Sequence, residues 1–360
     1  RCLIKVAMLP VLFAAIFLPT GQIPAGVPAR EPSLAVREST VAMTFGAERQ
    51  IYFSASSDGG KTFSSPVSVA KADILPLNRH RGPRIAFAGS AIVISAVAGT
   101  RLATGPHAHG LPSDGDLLVW RSTDLGKTWS KGIRVNDVPG APTEGLHTLA
   151  ADVQGHLFAA WLDKRNPSGT QLYGARSNDG GRTWLKNVKI YTSPEGTICE
   201  CCHPSAAIGL AGEVIVMFRN WLAGARDMYL SRSNDGLSFQ KPQRLGLGSW
   251  QLNGCPMDGG GVALVGDRIV TAWRREGDIF LARPGEKETR LGKGIDVALA
   301  ASASKLYAIW TAPEGIVVYL PDAKTSTLAR GGAFPSIAGL TGGAIAAWEE
   351  NGKISVQLLR

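Results

Sequence analysis

Short apolar runs in which hydrophobic and polar residues alternate recur along most of the chain, broken every eight to twelve residues by Gly, Pro, Asp or Asn. That period and spacing predict β-strands. Many units open with an apolar strand after proline, as at Pro32–Val36, Pro83–Phe87, Pro204–Ile208 and Pro335–Ala338. A second strand often ends in an aromatic, as at Val41–Phe45, Leu157–Trp161, Val214–Phe218, Ile269–Trp273, Leu306–Trp310 and Ala344–Trp348. A third follows, as at Gln50–Ser56, Leu117–Ser122, Gln171–Ser177 and Asp227–Ser233, and a short fourth closes most units. Seven such units start near residues 32, 83, 147, 204, 257, 296 and 335.

Repeated four-stranded units of this length predict an all-β chain, a β-propeller of seven blades. Six blades is the alternative, if two C-terminal units merge. The seventh unit has no fourth strand of its own, and a residue or two from the start of the mature chain is a candidate to pair there. The 43 Gly and 21 Pro in 360 residues fit a chain of tight turns and exclude a mainly helical one.

A sharper repeat lies inside the units: Ser56-Ser-Asp58-Gly-Gly60-Lys-Thr62-Phe63, Ser122-Thr-Asp124-Leu-Gly126-Lys-Thr128-Trp129 and Ser177-Asn-Asp179-Gly-Gly181-Arg-Thr183-Trp184, with a shortened copy at Ser233-Asn-Asp235-Gly236-Leu-Ser238-Phe239. Such a box suits a hairpin turn. The carboxylate accepts backbone N–H groups, the glycine takes a left-handed conformation, and the aromatic fills the gap between neighbouring sheets. These boxes resemble the Asp-box repeats of the sialidase superfamily. The resemblance implies a propeller with the boxes between third and fourth strands, away from the functional end, and a carbohydrate-directed activity of exo-α-sialidase type. It also implies an arginine cluster for a substrate carboxylate. Arg84-Ile85-Ala86 stands where the first such arginine would, with Ala where the family has Pro. The late blades offer no tyrosine with an obvious glutamate partner.

In a propeller the loops leading into first strands, and those between second and third strands, share one face, and function concentrates on such loops. Five of the six histidines (His80, His107, His109, His147 and His203) fall there, with Cys199, Cys201, Cys202 and Cys255; His156 is the exception. Thr197-Ile-Cys199-Glu-Cys201-Cys202-His203 precedes one first strand, and Asn253-Gly-Cys255-Pro-Met257-Asp258 the next. Three readings of the sulfurs stand. They form two disulfides, one linking adjacent blades and one local; or, with His203, they hold copper(I) or zinc; or they are free thiols. No cofactor is otherwise required. Arg84, Arg165, Arg219 and Arg274 are candidates to bind an anion, and equally to pair with local carboxylates. Asp163, Asp258 and His147 are candidates for acid–base work. Trp221 and Trp250 flank the same face and are candidates to stack on a sugar.

The first 29 residues read as a signal peptide: Arg1 and Lys5, an apolar run Val6–Leu18, and small residues at Val27 and Ala29. Residues 30–360 are then a single propeller domain. The formal charge of +9 loses Arg1 and Lys5 with the leader and becomes +7. No Lys/Arg run is dense enough for nucleic acid, and the apolar run is too short to stay in a membrane after cleavage. The expectation is an exported, periplasmic or extracellular monomer that binds, and hydrolyses, an anionic glycan or other small acidic ligand. The alternative is a non-catalytic binding or metal-site propeller.

Overall fold

The computed structural model describes residues 14–105 and 108–360; Arg1, Lys5 and His107 fall outside them. Seven four-stranded antiparallel sheets form a ring. Blade 1 is Arg30–Arg37, Thr40–Ala47, Gln50–Ser56 and Val67–Lys71. Blade 2 is Arg84–Ala88, Ala91–Ala98, Asp116–Ser122 and Ile133–Arg134, and blade 3 is His147–Ala151, Leu157–Asp163, Gln171–Ser177 and Val188–Tyr191. Blade 4 is Ser205–Ile208, Val214–Arg219, Met228–Ser233 and Gln243–Arg244, and blade 5 is Gly260–Val265, Arg268–Arg275, Asp278–Ala282 and Thr289–Lys293. Blade 6 is Ile295–Ser302, Lys305–Ala312, Gly315–Tyr319 and Thr325–Ala329. Blade 7 is Ala333–Leu340, Gly343–Glu350 and Lys353–Leu359, with Ile16–Phe17 as its fourth strand. The described residues contain no helix, so none is long and apolar enough to cross a membrane. Seven blades is the observed count.

Each first strand contacts the first strands of both neighbours, including blade 7 against blade 1, so the ring is closed. Closure is completed at the edge, where Ile16 pairs with Val356 and Phe17 with Ser355, and Leu18 N donates to Ile354 O at 2.9 Å. These residues lie within the stretch read as a leader. Removing residues 1–29 would leave blade 7 with three strands and an open edge at Lys353–Leu359.

The core lies between blades. Second strands are buried over nearly their whole length, because both faces meet a neighbouring sheet. Their apolar runs are therefore continuous where a half-exposed strand would alternate. The box aromatics reach back across these gaps. Trp129 packs edge-on to Phe53 of the preceding blade at 5.2 Å, and Phe239 lies 5.6 Å from Phe158. At Gly126 (φ 84°) a Cβ would collide with the Phe53 ring, so the box glycine is needed for packing as well as for conformation.

All four boxes sit between third and fourth strands. In the blade 3 copy, Asp179 Oδ1 accepts from the N–H of Arg182 and Thr183 at 3.0 and 2.9 Å and from Ser177 Oγ at 2.9 Å, while Thr183 Oγ1 donates to Oδ2 at 2.6 Å. These bonds hold its carboxyl below the usual aspartate range, although burial works the other way. Asp179→Ala should lower stability by about 1–2 kcal/mol, read as a shift in urea midpoint. Glycan binding at the far end of the blade should not change.

Candidate functional site: the axial cavity

A cavity of about 240 Å³ opens on the propeller axis where chain segments enter the first strands. Glu31, His80, Arg84, His203, Asp296 and Phe334 line it, with the hydroxyl-bearing Ser33, Thr148, Ser205 and Ser336. A larger cavity of about 410 Å³ lies between residues 18–29 and Asn351–Ile354, but Lys353 is its one ionisable lining side chain. Five ionisable side chains meet in the axial cavity.

Local backbone geometry brings these groups together. In blades 1, 6 and 7 the first strand slips register at the same step: between Arg30 and Ser33, Ile295 and Ala298, and Ala333 and Ser336. The first of the two residues inside each slip adopts a left-handed backbone: Glu31 at φ 52°, Asp296 at 60° and Phe334 at 50°. Such bulges re-aim a side chain at a backbone cost of about 1–3 kcal/mol. Here all three side chains end at the cavity.

Glu31 organises the blade 2 segment. Its carboxylate accepts the backbone N–H groups of Asn78 (3.1 Å), His80 and Gly82. Gly82 is glycine because a Cβ there would fall 2.6 Å from the Glu31 side chain. The loop so held presents His80, whose Nε2 lies 2.8 Å from Asp296 Oδ1. The His80 ring faces His203 with centroids 4.1 Å apart, and Phe334 meets it edge-on at 5.4 Å.

Electrostatics separate the two imidazoles. Burial pushes His80 down, but the carboxylates of Asp296, Asp258 and Glu31 outweigh it, and the net shift is upward. His203 has no such partner. Burial, then the charges of His80, Arg84 and Arg219, push it well below the ordinary histidine value. The two facing imidazoles are therefore pushed in opposite directions. Asp258 stands behind the pair. Burial and then Asp296 push its carboxyl up, its Oδ2 accepts from Asp296 N at 3.1 Å, and its buried Oδ1 has no hydrogen-bond partner. One donor atom from each of His80, Asp258 and Asp296 lies within 4.8 Å of the others, close enough for one small divalent cation to bind all three.

Glu349, at the end of the second strand of blade 7, accepts from Glu31 N at 2.6 Å. Burial, reinforced by the Glu31 charge, raises its carboxyl to about 7. A raised carboxyl means the folded state keeps its proton where the unfolded chain has lost it. Stability is therefore full below the ordinary glutamate range and falls as pH rises to about 7, by about 3 kcal/mol in total. Glu349→Gln should flatten that loss, so that urea midpoints at pH 5 and pH 8 converge.

The residues expected from sequence divide sharply. Of the four arginines only Arg84 lines the cavity, and it donates to the carbonyls of His80 and Pro83. Arg219 is buried and donates to the carbonyls of Asp258 (3.0 Å), Arg226 (2.6 Å), Arg274 (2.8 Å) and Gly259 (3.4 Å). Arg274 donates to the carbonyls of Glu276 and Pro256. Arg165 grips Asp163 through two bonds of 2.8 and 2.9 Å, reaches Asp137 at 2.9 Å and lies 4.0 Å over the Tyr173 ring. Asp163 also accepts from Trp161 Nε1 at 2.7 Å. Arg165 and Asp163 form a brace within blade 3, and the four guanidinium groups do not converge. His147 is wholly buried between Ser95 Oγ (3.0 Å) and Gly145 O (3.2 Å); burial, with Arg84 nearby, lowers it to about 3. Trp221 and Trp250 stack under arginines, Arg226 over the first and Arg219 and Arg274 near the second.

The sulfur group and His203 part company. Cys201 and Cys255 form a disulfide joining the lead-in loops of blades 4 and 5, while Cys199 and Cys202 are buried thiols. His203 instead turns to His80 and accepts from Gly259 N at 3.3 Å. Only Cys199 and Cys202 remain as possible thiolate ligands.

Glu31, Asp296 and Phe334 were absent from the sequence candidates. A usable signal existed: aligned on their first strands, units 1, 6 and 7 place all three at one step.

A family model described as a BNR repeat-like domain matches residues 112–265. No curated protein matches the chain. Among solved structures, an α-L-arabinanase of Penicillium chrysogenum complexed with arabinobiose is 14% identical over 97% of this chain and 98% of that one, at a TM-score of 0.58. An ulvan lyase, described as a new polysaccharide lyase family, is 12% identical over 98% and 96%, also at 0.58. A Hadza microbial sialidase is 14% identical over 89% and 74%, at 0.53. The chain is a seven-bladed β-propeller whose residues 112–265 match the BNR repeat-like model. At these identities the likeness to the solved structures is one of fold.

Proposed function

We propose that the protein is an exported carbohydrate-active propeller that binds an anionic glycan in the axial cavity and hydrolyses it there. The observation that carries this reading is the His80–Asp296 pair on the cavity wall, backed by Asp258 and held by Glu31. Glycoside hydrolysis needs a proton donor and a second group that activates water or attacks the sugar. His80, whose hold on a proton Asp296, Asp258 and Glu31 strengthen against burial, is the donor. Asp296 is the base or nucleophile. Asp258 positions the pair and sets its charge. Arg84 is the cation nearest the cavity for an acidic sugar. The arabinanase, ulvan lyase and sialidase of the same fold support the choice of carbohydrate as ligand class. A sialoside is the first substrate to test. Export belongs to the same reading, and the mass of the secreted chain shows whether residues 16–29, which close blade 7, are retained or cleaved before Arg30.

The decisive experiment is a panel of fluorogenic sialosides, uronides and arabinofuranosides assayed on the secreted protein. Release from an acidic glycoside, abolished in Asp296→Asn, is the expected result. A folded protein that turns over none of the panel overturns the enzyme reading. Glycan binding by calorimetry without turnover would then establish a binding propeller, a role that fits the near-complete burial of Glu31, Asp258 and Asp296.

A further inference from the structure

We propose that the four cysteines on the lead-in loops of blades 4 and 5 form a thiol–disulfide exchange site, separate from the axial cavity. Cys199 Sγ lies 2.8 Å from Cys202 Sγ and 3.8 Å from Cys201 Sγ, and Cys202 Sγ is 4.0 Å from Cys201 Sγ. A dithiol with C-x-x-C spacing thus lies against a formed disulfide, Cys201–Cys255. The loop is pinned, with Ile198 N donating to Thr170 O at 2.9 Å and Cys199 N to Arg219 O at 3.2 Å. Cys199, Cys201 and Cys202 are buried, whereas Cys255 is exposed. The cluster therefore has one outlet to solvent.

The exchange balances internally. Cys199, as thiolate, attacks the Cys201 sulfur. A Cys199–Cys201 bond forms, the Cys201–Cys255 bond breaks, and its electron pair leaves on Cys255, which takes a proton from solvent. Cys202 then loses its proton and displaces Cys201 from Cys199. The product is a Cys199–Cys202 disulfide with thiols at Cys201 and Cys255. One disulfide and two thiols exist before and after, so no outside oxidant or reductant is consumed.

Position makes Cys199 the attacking group, its Sγ lying 3.8 Å from Cys201 Sγ against 4.0 Å for Cys202. Exchange has two consequences. It removes the covalent tie between two blades, and it presents a Cys255 thiol to external thiols and disulfides.

The test is timed iodoacetamide labelling of the native secreted protein, followed by peptide mass spectrometry. The expected result is one disulfide per chain, found in both pairings. Every chain labelled at Cys255 should carry the Cys199–Cys202 bond. Cys199→Ser, and Cys199→Ala as a second variant, should slow Cys255 labelling at least about tenfold while melting as a folded protein. Cys202→Ser should trap the Cys199–Cys201 bond. Four oxidised cysteines, a single Cys201–Cys255 pairing with Cys255 never labelled, thiols occupied by stoichiometric copper or zinc, or Cys255 labelling unchanged in both Cys199 variants would each overturn the proposal.

Discussion

Asp296→Asn should lower kcat/KM on the best acidic glycoside by about a thousandfold, in the range expected when a positioned acid–base group loses its charge. The chain should remain folded. Asp296 and Asp258 are buried neighbours, and the charge of one raises the other. Neutralising Asp258 removes a like-charge repulsion, so the melting temperature of Asp258→Asn should hold or rise. The pH profile carries a second signature. Burial pushes His80 down, and its bond to Asp296 is the largest of the contributions that push it up. With asparagine there the imidazole gives up its proton sooner, and the alkaline limb of residual activity should move to lower pH. A purely structural role for Asp296 would lower stability and leave that limb in place. Asp258→Asn should move the limb in the same direction by less, because Asp258 acts on His80 through charge alone.

Arg219→Met should cost about 4 kcal/mol of stability, the largest such loss expected from a single residue of the sequence-derived set. The guanidinium is about 1% exposed and satisfies carbonyls on three separate stretches: Arg226, Asp258 with Gly259, and Arg274. Methionine matches much of the volume but offers no donor, so buried carbonyls lose their partners. Urea midpoints at pH 7 measure the loss. Arg219→Lys should recover only part of it, since an ammonium cannot reach across the fan of acceptors that a planar guanidinium serves. An anion-binding role would give the opposite pattern, with unchanged stability and weakened affinity for an acidic ligand.

Arg219 also shows where reading the chain stops. Its residue type and its end of the propeller were legible in sequence, and both were compatible with an anion clamp. Whether a guanidinium faces ligand or backbone depends on how many carbonyls the surrounding loops turn inward, and no spacing rule encodes that. Arg165 and Asp163 went the same way. Two residues apart at a strand end, they satisfy each other before either can serve a ligand.

The ring itself was written in the chain. The period of the apolar strands, the three full boxes and the aromatic ends of second strands each reflect a local requirement of a twisted sheet packed between two others. Local requirements leave local signatures, which is why seven blades and the placement of the boxes could be read without coordinates. The axial cluster has a different origin. Glu31, His80 and Asp296 come from blades 1, 2 and 6, and His80 and Asp296 are 216 residues apart in sequence. They meet because single-residue slips turn the Glu31 and Asp296 side chains inward as the closed ring brings the segments together. The pairing of Cys201 with Cys255 and the seating of Ile16–Phe17 on the last blade were settled in the same way. Composition and period determined the architecture; register and closure, properties of the whole ring, decided which side chains share its axis.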